Sequence, residues 1–147
     1  MKRIVLGLLA CLLFLQINSV TAAEWLTDMP KAVAQAKAEH KMVFVDFTGS
    51  DWCGWCKKFK AEVLTQPEFT TYAAKNLVLV ELDYPHKIAQ SAELKQANKA
   101  LSIKYGVDGF PTLLLLNADG KELGRQGGYS KGGPAAFIAK LEKWKKQ

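Results

Sequence analysis

Met42-Val43-Phe44-Val45-Asp46-Phe47-Thr48-Gly49-Ser50-Asp51-Trp52-Cys53-Gly54-Trp55-Cys56-Lys57-Lys58 leads from an apolar run through a polar turn into a pair of cysteines. The run over 42–47 is β-branched, aliphatic and aromatic around one carboxylate. That composition suits a strand covered on both faces, the habit of central strands in α/β sheets. Residues 48–51 supply turn and N-cap chemistry. Beyond them Trp55, Phe59 and Val63 recur at i, i+4, i+8, so a helix starts at or just before the cysteines and runs to Leu64.

Two cysteines separated by two residues in a first helical turn can close a small ring with little backbone movement. The same place lowers the pKa of the first thiol, because free backbone N–H groups and the positive end of the helix dipole favour a thiolate. Cys53, nearer the helix start, is therefore the expected nucleophile, and Cys56, one turn in, the resolving thiol. A zinc site needs about four ligands. His40 and His86 lie far apart in sequence with no second Cys/His pair, so no metal is expected. An inert structural disulfide is the other competing reading, but so short a ring removes little entropy from the unfolded chain.

Outward from this stretch, strands and helices alternate. An Ala-rich helix is predicted over 30–40, with Pro30 in its first turn. Gln66-Pro67 breaks the cysteine helix, and a short helix follows over 67–75. Residues 77–82 read as a second central strand. A long, polar, mostly solvated helix covers 89–105, and 112–116 is a third apolar strand. Asn117-Ala118-Asp119-Gly120 is a hairpin turn returning through 121–127. A last helix opens at Gly132-Gly133-Pro134, with Phe137, Ile138 and Leu141 on one face. The order implies an α/β three-layer sandwich: a parallel core with right-handed crossovers, plus an antiparallel edge from the hairpin, hence a mixed central sheet flanked by helices.

The 147 residues, 49% hydrophobic and 23% charged, describe one compact domain and exclude disordered, collagen-like and disulfide-dense classes. Lys2 and Arg3, the apolar run 4–15 and Val20-Thr21-Ala22-Ala23 form the three regions of a secretory signal peptide. Cleavage is expected after Ala23 or Ala22, which assigns 1–23 to the signal and 24–147 to the domain. The run is shorter than the roughly 20 residues a membrane span needs, so no membrane insertion is expected after cleavage. Leu8-Leu9-Ala10-Cys11 resembles a lipobox, but the apolar run continues past Cys11. Without the signal, 18 basic residues against 14 acidic leave +4, too mild a charge for nucleic-acid binding. Cys53 and Cys56 are then the only cysteines, and an oxidising compartment lets them form a disulfide.

Val45-Asp46-Phe47, Trp52-Cys53-Gly54-Trp55-Cys56-Lys57, Tyr105-Gly106-Val107-Asp108-Gly109-Phe110-Pro111-Thr112-Leu113 and Gly128-Tyr129-Ser130-Lys131-Gly132 resemble, in order, the successive signatures of the thioredoxin superfamily. The likeness spans the chain from about Lys41 onward and is nearest to secreted bacterial thioredoxin-like proteins. It implies a thioredoxin-like fold with Cys53 and Cys56 as the redox disulfide. It also implies a cis Pro111 against that disulfide, Phe110 presenting its backbone to an extended substrate, and Gly54 with an apolar rim of Trp52 and Trp55 at the binding surface. Asp46 is carried over as a buried carboxylate, its pKa raised, that accepts the proton of Cys56. The loop from Asp46 to Cys53 is one residue longer than the family's usual one. The lysine that often partners this Asp has no counterpart, since Leu79 falls near its place. Glu81 is either a substitute partner or a surface residue. The segment 84–103 is longer than in a minimal thioredoxin and is expected to place a helix beside the active site.

The function that follows is a periplasmic or secreted thiol–disulfide oxidoreductase of the reductase or isomerase type, monomeric and without cofactor, acting on protein thiols and disulfides. Its recharging implies a membrane electron donor. The alternative is a binding module on the same fold, a metallochaperone or peptide adaptor, in which the cysteines do not turn over.

Overall fold

The computed structural model describes residues 23–146; the signal segment, apart from Ala23, lies outside the described residues. Helix α1 (Met29–Glu39) starts where the Asp28 side chain accepts the Lys31 N–H at 2.9 Å. It ends at His40, whose left-handed φ of 54° lets its N–H cap the last carbonyls. Met29, Ala32 and Ala36 form its buried stripe. Strand β2 (Met42–Thr48) is buried from its second residue onward. The cysteine helix α2 (Gly54–Phe59) continues as a π-helical turn over Lys60–Leu64. It is followed by α3 (Pro67–Asn76), β3 (Leu77–Asp83), α4 (Ala92–Lys104), β4 (Thr112–Leu116), β5 (Glu122–Gly127) and α5 (Gly133–Trp144). Strand β1 (Trp25–Leu26), two residues beside Leu79 and Val80, is too short to show a periodicity in sequence.

The sheet order is β1-β3-β2-β4-β5. β1 and β3 run parallel to the central β2, and β4 runs antiparallel to it. The antiparallel partner of β2 is thus β4 itself, one strand further in than an edge hairpin on a parallel core provides. The register shows why. The connection leaves β3 at Asp83, paired with Thr48, and re-enters at Thr112, paired with Phe47. It begins and ends at the same end of the strands, the C-terminal end of β2, so β4 must run back.

Alternation along β2 sends side chains into two cores, one on each sheet face. Phe44 joins Phe59, Phe69 and Phe137 beneath α2, α3 and α5, with Phe59 and Phe137 ring centroids 5.0 Å apart in edge contact. Val43, Val45 and Phe47 pack with Ala32, Ala36 and Tyr105 beneath α1 and the end of α4. Asp46 shares the face of Phe44, so the one carboxylate of β2 lies on the side covered by α2.

Candidate active site

The C-terminal end of β2 meets the start of α2 and the entrance to β4, and everything the sequence marked gathers there. Cys53 is the N-cap of α2, with extended backbone, and its Sγ accepts the Cys56 N–H at 3.2 Å. That N–H is one of the donors a helix start leaves unpaired, and aimed at sulfur it stabilises a thiolate. Cys53 and Cys56 are joined in a disulfide, their Cα atoms 5.3 Å apart. Exposure does not separate them, at 6% and 4%. Position does: Cys53 caps the helix and Cys56 lies inside it.

Asp46 is 3% exposed, and its Oδ1 has no hydrogen-bond partner among the described residues. Burial, and after it repulsion from Glu81, pushes its pKa up to about 8; Lys60 opposes the shift and Asp83 adds to it. Glu81 pairs with Asp46 in the strand register, and its Oε2 accepts from Lys60 Nζ at 3.1 Å. It is therefore neither a cationic substitute nor a plain surface residue. It is a second carboxylate, tethered by Lys60, that makes ionising Asp46 harder.

The Phe110–Pro111 peptide bond is cis, directly before the β4 residue that pairs with Phe47. Pro111 is buried and its carbonyl accepts the Gly128 N–H at 2.8 Å. Two aromatic walls flank the disulfide. Trp52, 39% exposed, stacks on His86 at 4.5 Å and meets Phe110 edge-on at 5.7 Å. Its indole lies over Gly49, where a Cβ would come within 2.5 Å of the ring. Trp55, 59% exposed, stacks on Tyr129 at 5.6 Å, with Lys58 Nζ over both rings. Nothing lies within 4 Å of a Cβ built on Gly54, so the surface between the cysteines is open.

The turn before the cysteines does different work from the capping its composition suggests, since the cap is Cys53 itself. Asp51 reaches across to accept the N–H groups of His86, Lys87 and Ile88 at 2.9, 2.6 and 3.1 Å, and these bonds hold its carboxyl below the usual range. Ser50 donates through N and Oγ to Asp83 at 2.8 and 2.5 Å, and Trp52 Nε1 donates to the Tyr84 carbonyl at 2.8 Å. The 84–91 segment is thereby moored to the redox loop, and α4 stands beside it. Asp83, Tyr84, His86 and Lys60 belong to the site without a sequence signal, because their partners are tens of residues away; Asp51 reads as part of a turn and Tyr129 as part of a family signature, without the partners they have here.

Comparison with known proteins agrees with this geometry. Residues 29–145 match the family model described as a thioredoxin-like domain. The chain is 41% identical over 129 residues to the disulfide bond reductase DsbH of Chlamydia pneumoniae, covering 86% of this chain and 76% of that protein. It is 32% identical to the thioredoxin-related protein DsbJ of the same organism, of whose length it spans 36%. The solved structure of a DsbH oxidoreductase superposes with a TM-score of 0.79 at 38% identity, covering 86% of each chain. A thioredoxin from Thermus thermophilus superposes at 0.61 with 23% identity, a likeness of fold. A helix-capping CxxC disulfide, a cis-proline at the head of the neighbouring strand and this sheet order thus come together with matches over most of the chain, which belongs to the thioredoxin-like domain family.

Proposed function

We propose that the protein is a thiol–disulfide oxidoreductase working in the reducing direction on disulfides of exported proteins. The observation that carries it is the Cys53–Cys56 disulfide at the head of α2 with an unpaired, hard-to-ionise Asp46 beneath the same helix. In the reduced protein, the Cys53 thiolate attacks one sulfur of a substrate disulfide. That bond breaks, one substrate thiolate leaves, and Cys53 is held in a mixed disulfide. Cys56 passes its proton to Asp46 in its ionised form, whose share grows as pH rises toward 8, and attacks Cys53 Sγ. The second substrate thiolate departs, and the Cys53–Cys56 bond forms. Two electrons have moved from the dithiol to the substrate; the one thiol proton, from Cys56, rests on Asp46, and the released thiolates take their protons from water.

The direction is supported by what surrounds the first sulfur. A strong oxidant stabilises its reduced form with donors or positive charge at the thiolate. Gly54 and Trp55 bring no charged group. Lys58 lies over the Trp55 and Tyr129 rings, and Lys57 Nζ is occupied by the Asp51 carbonyl at 3.0 Å. The disulfide bond reductase of Chlamydia pneumoniae is a relative of the same kind. The signal peptide read in 1–23 assigns the work to the periplasm or exterior, where a spent reductase is recharged by a membrane electron donor. Equilibration with glutathione tests the direction. The expected potential lies nearer the thioredoxin value of about −270 mV than the oxidant value of about −120 mV, with catalysed insulin reduction. A value at the oxidant end without insulin reduction overturns it.

A further inference from the structure

The resolving step leaves a proton on a carboxyl group that is 3% exposed, and that proton must reach water before Asp46 can serve again. The surroundings of Asp46 offer few ways out. Along its own strand Phe44 and Thr48 share its face. On the β4 side its partner is Leu113, apolar and buried, and α2 brings Cys56, the source of the proton, and Phe59. On the β3 side its partner is Glu81. Paired residues of adjacent parallel strands point to the same face, and the strands lie about 4.8 Å apart. The two carboxyl groups are thus neighbours, within reach of proton transfer directly or through one water.

Glu81 differs from Asp46 in what lies beyond it. Its side chain is 24% exposed, so it reaches solvent, and its Oε2 accepts from Lys60 Nζ at 3.1 Å. Lys60 opens the π-helical turn that ends the cysteine helix, a departure from α geometry that recurs at functional sites. The ion pair holds the Glu81 carboxylate over the same face as Asp46. Lys60 itself cannot receive the proton, since an ammonium has no lone pair. Asp83, the other carboxylate of β3 near Asp46, pairs with Thr48 one step further along the face, and its two oxygens are occupied by Ser50 N and Oγ at 2.8 and 2.5 Å.

We propose that Glu81, held in place by Lys60, is the proton outlet of the resolving step, a role that rests on the exchange reading above. Asp46 gives its proton to the Glu81 carboxylate and regains its charge; Glu81 gives the proton to water or a buffer base and regains its own. No electrons move in either step. When the dithiol is recharged the path runs backward, and a proton drawn from water through Glu81 and Asp46 returns to the Cys56 thiolate. A neighbour that only repelled charge would act with the opposite sign. Removing such a neighbour leaves more Asp46 ionised at neutral pH and speeds resolution; removing an outlet slows it.

The test mixes reduced protein with dithiobis(nitrobenzoate) at neutral pH and follows the coloured thiolates by stopped flow. The first is released when Cys53 attacks, which needs no proton path and serves as an internal control; the second is released when Cys56 resolves the mixed disulfide. Glu81→Gln is expected to leave the first phase unchanged and to slow the second about tenfold. Glu81→Asp, which keeps an ionisable carboxylate, recovers most of that loss. In Glu81→Ala, added formate, a small diffusible carboxylate, restores the second phase in proportion to its concentration, and chloride at equal ionic strength does not. A second phase that is unchanged or faster in Glu81→Gln overturns the outlet and leaves Glu81 a repelling neighbour. Slowing that formate does not relieve, or that extends equally to the first phase, marks a structural fault and overturns it as well. Wild-type protein separates the two levels. If it releases both thiolates and Glu81→Gln does so as fast, the outlet alone falls; if it does not release both, the exchange reading falls and takes the outlet with it.

Discussion

Asp46 shows how one residue carries both a folding cost and a chemical task. Its carboxyl titrates near 8 in the folded protein, against about 3.9 in an unfolded chain. Between those values the folded state holds a proton that the unfolded state has lost, so stability is complete below about pH 4 and falls as pH rises toward 8. At about 1.4 kcal/mol per unit, the loss is on the order of 4 kcal/mol at pH 7. Asp46→Asn is therefore expected to raise the urea midpoint at pH 8 and leave it nearly unchanged at pH 4. It also removes the base for Cys56. Resolution of a Cys53-linked mixed disulfide is expected to slow about 10²-fold and to lose the rise with pH through 8 seen in the wild type, measured by stopped-flow release of the second thiol. Unchanged resolution with a raised urea midpoint would leave Asp46 a burial cost alone. Burial of this carboxylate was legible, because it interrupts an apolar strand. The sign of its neighbour was not, since which residue of β3 faces it depends on a register that Leu77 to Asp83 does not announce.

At the scale of elements, the alternation of apolar runs and amphipathic stretches located each of the longer strands and helices. The reading failed where a short polar side chain had to choose between local and distant partners. Ser50 and Asp51 have the composition of a helix cap, yet the cap is a sulfur and the two side chains bind the 84–91 segment instead. Asp51→Ala is expected to speed amide exchange at His86, Lys87 and Ile88 by about tenfold or more while core amides of β2 and β4 hold their protection. Hydrogen exchange followed by NMR checks this, and unaltered exchange at those three amides would show that the segment keeps its place without the carboxylate. The helix expected over 89–105 likewise begins later, at Ala92 with Ser91 as its cap, because residues 86–88 are drawn to Asp51.

For the whole molecule, the layers and the position of the redox pair followed from pattern and motif, while the direction of β4 required the pairing of Thr112 with Phe47. The export reading also belongs at this scale. The intact mass of the secreted protein is expected to correspond to a chain beginning at Glu24 or Ala23, and a species carrying lipid on Cys11 would overturn it. The mooring of the 84–91 segment has a further consequence for protein engineering. The segment after Asp83 leaves β3 and the chain rejoins the sheet at β4, at the same end of the strands, and it meets the redox loop through Asp51, Asp83 and Trp52. It is thus a cassette whose two junctions lie at one end of the sheet, on either side of β2. A library of inserts between Asp83 and Phe110, which leaves the cis Phe110–Pro111 bond in place and keeps acceptable partners for those three residues, can be screened for altered client choice while the dithiol chemistry stays with the chassis.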